Sequence, residues 1–158
     1  LSVSLLFMIM GTHPLLFIIP VLILTLADPM AAIIGGHYGR LRYLTIKGQK
    51  SIEGSAAFFL VAFCCIYIPL LLFTNIGSSE DMLIATLVAL LVMLVEAVSW
   101  NGLDNLLIPL ASSLLLLLIL QLPIQILLLA LAIVLSFLAS VPLFVRLYPV
   151  AKNEEELC

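Results

Sequence analysis

Four acids, Asp28, Glu53, Glu96 and Asp104, lie within or beside long apolar runs of this chain. An ionisable group buried in a membrane without a partner is costly, so each needs a reason to be there. Asp28 precedes Pro29, a pairing that caps a helix start with the proline in its first turn. The same carboxylate could hold a metal ion or act as a general base at a broken helix, and the roles are compatible. Glu96 can pair with a loop lysine, reach the membrane interface or serve a site. Asp104 and Asn105 can cap the helix that begins at Leu106, or join the other acids if they converge on one membrane face. Gly35-Gly36-His37-Tyr38-Gly39, with Lys47 and Lys50 downstream, has the composition that lets backbone amides and ammonium groups surround phosphates. Gly48-Gln49-Lys50-Ser51 is not a Walker A loop, because Gly, Lys and Ser are not contiguous and the upstream glycine is wrongly spaced. His37 has no second histidine or cysteine nearby and reads as an interfacial hydrogen-bonding residue. Cys64, Cys65 and Cys158 show no zinc spacing.

The elements that must hold these residues are apolar. The chain has 158 residues, 65% hydrophobic and 9% charged, with a mean hydropathy of +1.35. So much apolar surface cannot be hidden in one small soluble core, which makes lipid the natural solvent. At about 20 residues per crossing there is room for roughly four to six crossings and no large catalytic domain outside the membrane. Residues 1–158 therefore read as a single transmembrane domain, an all-α polytopic helical bundle. The runs are continuous, unlike the alternating pattern of barrel strands. A net charge of −3 lacks the basic excess that nucleic-acid binding needs. Leu1 opens the chain with no charged segment before the first apolar run, which reads as the inside of a helix in a longer protein and not as a cleavable signal peptide.

A break is expected at Asp28-Pro29, followed by a short helix over residues 30–34 that Gly35, Gly36 and Gly39 end. Residues 40–55 form the one substantial polar loop, with Arg40, Arg42, Lys47 and Lys50 supplying four of the six basic residues. Apolar segments follow at about 56–76, 82–98, 106–122 and 123–147. The basic bias of cytoplasmic loops puts residues 40–55 in the cytoplasm, and counting crossings returns the polar turn 99–105 and the tail 148–158 to that face. Two polar clusters can then form one site.

Asp28-Pro29-Met30-Ala31-Ala32-Ile33-Ile34-Gly35, then Gly39, then Lys50-Ser51-Ile52-Glu53-Gly54-Ser55, and later Glu96 and Leu103-Asp104-Asn105 with Pro109, together resemble the CTP-dependent lipid kinase family. That family includes phytol kinase, dolichol kinase and CTP-dependent diacylglycerol kinase, and the resemblance covers about residues 25–115. It implies a multi-pass membrane enzyme that transfers the γ-phosphate of CTP to a long-chain isoprenoid or lipid alcohol, with its active site at the cytoplasmic face. Carried over by position, Asp28, Asp104 and Glu96 are candidate catalytic residues, and Asp28 and Asp104 candidate magnesium ligands. Gly35, Gly39, Lys47, Lys50, Ser51, Gly54, Ser55 and Asn105 are candidates for binding the nucleotide and its phosphates. The implied partners are the nucleotide, a membrane lipid alcohol and the bilayer, with no nucleic acid and with an oligomer left open. The chain departs from the family pattern at Ala27, Ala32 and Gly36, which bears on the choice of alcohol more than on the phosphoryl chemistry. Two other readings are a phosphatidate cytidylyltransferase, whose C-terminal acidic and glycine-rich signature has no counterpart after Asp104, and a noncatalytic membrane subunit on the same scaffold.

Overall fold

The computed structural model describes residues 14–45, 48–74, 77–99 and 104–147, the side chains of 44, 45, 48, 104 and 141–147 excepted. Helix α1 (Pro14–Leu22) runs through a π-helical segment (Ile23–Ala27) into α2 (Asp28–Tyr38). A hairpin of β1 (Arg42–Thr45) and β2 (Gly48–Ser51) leads into α3 (Ile52–Phe73), and α4 (Ser78–Val98), α5 (Asp104–Ile119) and α6 (Ile124–Leu147) follow. Among the described residues, three stretches are long and apolar enough to cross a membrane: Pro14–Tyr38, Ile52–Phe73 and Ser78–Val98. At 1.5 Å per residue the shortest of them spans about 30 Å, the thickness of a bilayer's hydrocarbon core. The chain is an all-α polytopic membrane bundle, and its described helices overlap the apolar runs.

The centre of the bundle is the α3–α4 pair, with α2 and the π-helical segment against α3, and α5 and α6 against α4. Ile19, Ile23, Phe58, Ile66, Val88 and Val92 are fully enclosed there. Leu60, Leu72, Phe73, Leu129 and Phe137 point outward, as apolar side chains do when the solvent is lipid.

The interruption expected at Asp28-Pro29 exists, but it is not a cap. Asp28 has helical angles (φ −64°, ψ −50°) and its N–H bonds the carbonyl of Ile23, five residues back. Pro29 has no N–H to donate, and its ring would press on the carbonyl four residues earlier. The wider π turn just upstream lets the chain continue as a helix. Nor do Gly35 and Gly36 stop it: α2 runs to Tyr38 and ends at Gly39, which is extended (φ −65°, ψ 102°). A glycine inside a helix costs only about 1 kcal/mol relative to alanine, and packing against α3 offsets that here.

The described residues of the 40–55 stretch form a hairpin and a helix start and not a plain loop. The strands pair antiparallel, Arg42 opposite Ser51 and Tyr43 opposite Lys50, and Ile52 N–H extends the pairing to the carbonyl of Leu41. Ser51 leaves the strand extended and caps α3, its hydroxyl accepting from Gly54 N–H at 3.1 Å. Glu53, in the first turn of α3, accepts from the N–H groups of Arg40 and Leu41 at 3.1 and 3.2 Å. The chain leaving α2 is thereby tied to the start of α3.

Candidate functional site

Asp28, Ala31, Ala32, Gly35 and Gly36 recur at i, i+3, i+4, i+7 and i+8, which is one face of a helix. That face of α2 forms one wall of a pocket of about 380 Å³, within the size range of small-molecule sites. The hairpin supplies Arg42, Gln49 and Lys50, the start of α3 supplies Ser51, Gly54 and Ser55, and the last turns of α4 supply Glu96.

The glycines set how close these walls come. A Cβ on Gly35 would stand 2.8 Å from Ser51 Oγ, and one on Gly54 would stand 3.0 Å from the Ala31 carbonyl and 3.1 Å from Gly35 Cα. A Cβ on Gly39 would collide with the Gly35 carbonyl and lie 2.7 Å from Ser51 Cβ. A side chain has no room at these three positions, because the backbones of α2 and α3 approach closely and the side chain of the capping Ser51 fills the space between them. Gly36 differs: a Cβ there meets nothing within 4 Å.

Lys50 crosses from β2 to the end of α4. Its Nζ lies 2.7 Å from Glu96 Oε1 and also donates to the Glu96 backbone carbonyl, where an ammonium completes the exposed end of the helix dipole. Ser99 Oγ donates to the same carbonyl at 2.7 Å. The pair is largely enclosed, with 17% of the lysine and 9% of the glutamate side chain exposed. On the hairpin side, the Tyr43 hydroxyl and Ser55 Oγ are hydrogen-bonded at 2.8 Å.

Of the sequence-derived site residues, Asp28, Gly35, Lys50, Ser51, Gly54, Ser55 and Glu96 line this one pocket. Gly39 packs behind it against Ser51. Asn105 is exposed on α5 and is not among the lining residues. Asp104 begins α5, with its side chain outside the described residues, and Lys47 lies wholly outside them. The Lys50–Glu96 contact brings the hairpin and the last turn of α4 to the same end of the bundle. His37 is exposed, and among the described residues no three His, Cys, Asp or Glu side chains cluster as for a metal.

Arg42 and Gln49 are lining residues that motif spacing did not single out. A signal was present in the β-forming run Tyr43-Leu44-Thr45-Ile46 closed by Gly48. Opposed to Lys50-Ser51, it makes a hairpin whose period-two face carries Gln49 and Ser51 with Arg42. Two cations and two carboxylates thus share one concave space, which offers a ligand both signs of charge. The donors also fit magnesium, a hard cation that takes one or two carboxylates with phosphate and water oxygens, and not an all-protein cage. Asp28 offers such a carboxylate on the pocket wall.

The chain is 32% identical over 102 residues to a phytol kinase of Synechocystis sp., a match covering 65% of this chain and 43% of that protein. It therefore spans less than half the length of the curated relative it matches. No protein-family model and no solved structure matches it at a significant level.

Proposed function

We propose that this chain carries the phosphoryl-transfer site of a membrane-embedded lipid-alcohol kinase, which moves the γ-phosphate of CTP to a long-chain alcohol of the phytol or dolichol type. The observation that carries the reading is the convergence of Asp28, Lys50, Ser51 and Ser55, from three separate elements, on one pocket at the end of an apolar bundle. The likeness to a phytol kinase supports it.

Phosphoryl transfer asks a protein for in-line positioning and charge neutralisation more than for covalent chemistry. The alcohol oxygen bonds to the γ-phosphorus, the bond to the bridging oxygen of the β-phosphate breaks, CDP leaves, and the hydroxyl proton passes to a base or to water. Lys50 is oriented by Glu96 through two of its three N–H groups, which leaves the third for a phosphate oxygen. Ser51 and Ser55 can donate hydroxyl hydrogen bonds beside it. Asp28, on the opposite wall, orients the alcohol or holds magnesium, with Asp104 as its partner. A magnesium ion held there would draw charge from the phosphate oxygens and help align them. We place the hairpin and the 99–105 turn at the cytoplasmic face, where the nucleotide is, with the alcohol arriving sideways from the bilayer and its hydroxyl at headgroup level.

Membranes containing the full-length protein, given γ-labelled CTP and a panel of phytol, farnesol, dolichol and diacylglycerol, test the reading. Label in a lipid monophosphate is the expected result. Label released as pyrophosphate, with a CMP-bearing lipid formed, would replace the kinase by a cytidylyltransferase. No transfer to any alcohol by folded, magnesium-supplied protein would leave a noncatalytic scaffold.

A further inference from the structure

Four charged side chains line the pocket, Asp28, Arg42, Lys50 and Glu96, and their formal charges cancel. The Lys50 charge is already met by the Glu96 carboxylate at 2.7 Å, and a phosphate that took over the lysine would strand a nearly buried glutamate. Backbone donors are committed as well. Gly35 and Gly36 lie inside α2, where their amides belong to the helix ladder. At the start of α3, Ile52 N–H goes to the Leu41 carbonyl and Gly54 N–H to Ser51 Oγ. The glycine-rich composition therefore makes close helix packing here, not a nest of free amides. Arg42 stands apart: among the described residues its guanidinium has no ion pair and no hydrogen bond, it is exposed, and it lines the pocket. Its place opposite Ser51 puts it on the hairpin face that also carries Gln49.

From this charge distribution we infer that Arg42 is the principal receptor for the phosphate groups of the pocket's ligand, a polyphosphate anion, and that Lys50 is mainly a positioning residue that clamps the hairpin to α4 and orients one N–H. The planar guanidinium fork matches two phosphate oxygens at once, which an ammonium cannot do. The identity of the ligand as a nucleotide triphosphate rests on the kinase reading; the role of Arg42 as an anion receptor does not.

The test is equilibrium binding of inorganic tripolyphosphate, with CTP beside it, to the purified full-length protein in detergent and in the presence of a chelator. Wild type should bind tripolyphosphate, and Arg42→Ala should weaken it about 10- to 100-fold, the span expected when a charge-assisted hydrogen-bonding group is lost. Arg42→Lys should recover only part of the loss, and Gln49→Ala should cost less than Arg42→Ala. Arg42→Ala should also melt as wild type does, since its guanidinium has no partner among the described residues to lose; if it does not, Arg42→Lys, which retains the charge and most of the side chain, carries the comparison. Wild-type affinity in Arg42→Ala or full recovery in Arg42→Lys would overturn the inference, as would no binding of tripolyphosphate by wild type. The kinase reading fails separately. Arg42-dependent binding without transfer of label from CTP would sink the kinase and keep the anion site, whereas transfer with an unchanged KM for CTP in Arg42→Ala would do the reverse.

Discussion

The α3–α4 pair buries a carboxylate at each end, and the two ends are built differently. At the turn between the helices, Asp81 is 1% exposed and its Oδ1 accepts from the Thr74 hydroxyl at 3.0 Å. Thr74 is the C-terminal cap of α3, and its one hydroxyl proton is shared between Asp81 and the Leu70 carbonyl, which lies 2.7 Å from the same oxygen. Acid and hydroxyl are seven residues apart, so this contact closes a turn, and the charge sits in the first turn of α4, where the helix dipole favours it. At the hairpin end, Glu96 meets Lys50 from 46 residues away, and the pair opens onto a pocket shared with Asp28 and Arg42. Burial of an acid alone therefore does not mark a site. The end that recruits a distant cation and leaves space beside it is the one to which we assign the proposed chemistry.

The sharpest contrast comes from making the same change at both ends. Asp28→Asn should lower phosphoryl transfer by about 100-fold or more while the melting temperature stays near wild type, because the amide retains size and hydrogen-bonding capacity. Asp81→Asn should leave transfer nearly intact and register only as a lower melting temperature. Comparable activity losses in the two would erase the distinction between the ends.

Breaking the clamp should come next in size. Glu96→Ala leaves the Lys50 ammonium enclosed without its counter-charge, and losing one partner of such a pair costs about 3 kcal/mol. The loss should appear as a lower unfolding midpoint, with Glu96→Gln milder because the amide oxygen can still accept. Should Glu96→Ala unfold like wild type, the Lys50–Glu96 pair would not hold the hairpin in place.

Smaller effects separate the neighbouring glycines. Gly54→Ala and Gly35→Ala force backbone or the capping Ser51 to move, and overpacking of this kind costs about 1–3 kcal/mol. Gly36→Ala places its methyl group in open space and should be neutral or stabilise α2 by up to about 1 kcal/mol. Thermal unfolding of the three variants side by side checks the order, and a destabilised Gly36→Ala would contradict the open space at that position.

What the sequence made legible was what local pattern and motif can carry: apolar runs that became helices, and residues Asp28, Lys50, Ser51, Ser55 and Glu96, which the structure brings to one pocket. The misses depend on partners distant in sequence. Four-residue strands become strands only by pairing, so Arg42 and Gln49 read as loop residues until β1 and β2 are set in register. The π turn is a compromise between Pro29 and the packing of both flanking helices, and no local signal separates it from a cap at Asp28. Gly35 and Gly39 have the composition of a phosphate cradle, and only the approach of α2 to α3 and Ser51 shows that they are also close packing contacts. Asn105, which matched the motif, is exposed on α5 and is not among the lining residues.

The central claim, kinase chemistry in the pocket at the hairpin end, is tested most directly by giving the full-length protein CTP labelled at the α- or the γ-phosphate together with phytol. The account predicts that γ-label enters a lipid monophosphate while α-label stays in CDP. Appearance of α-label in the lipid, or of neither label with folded protein, would contradict it.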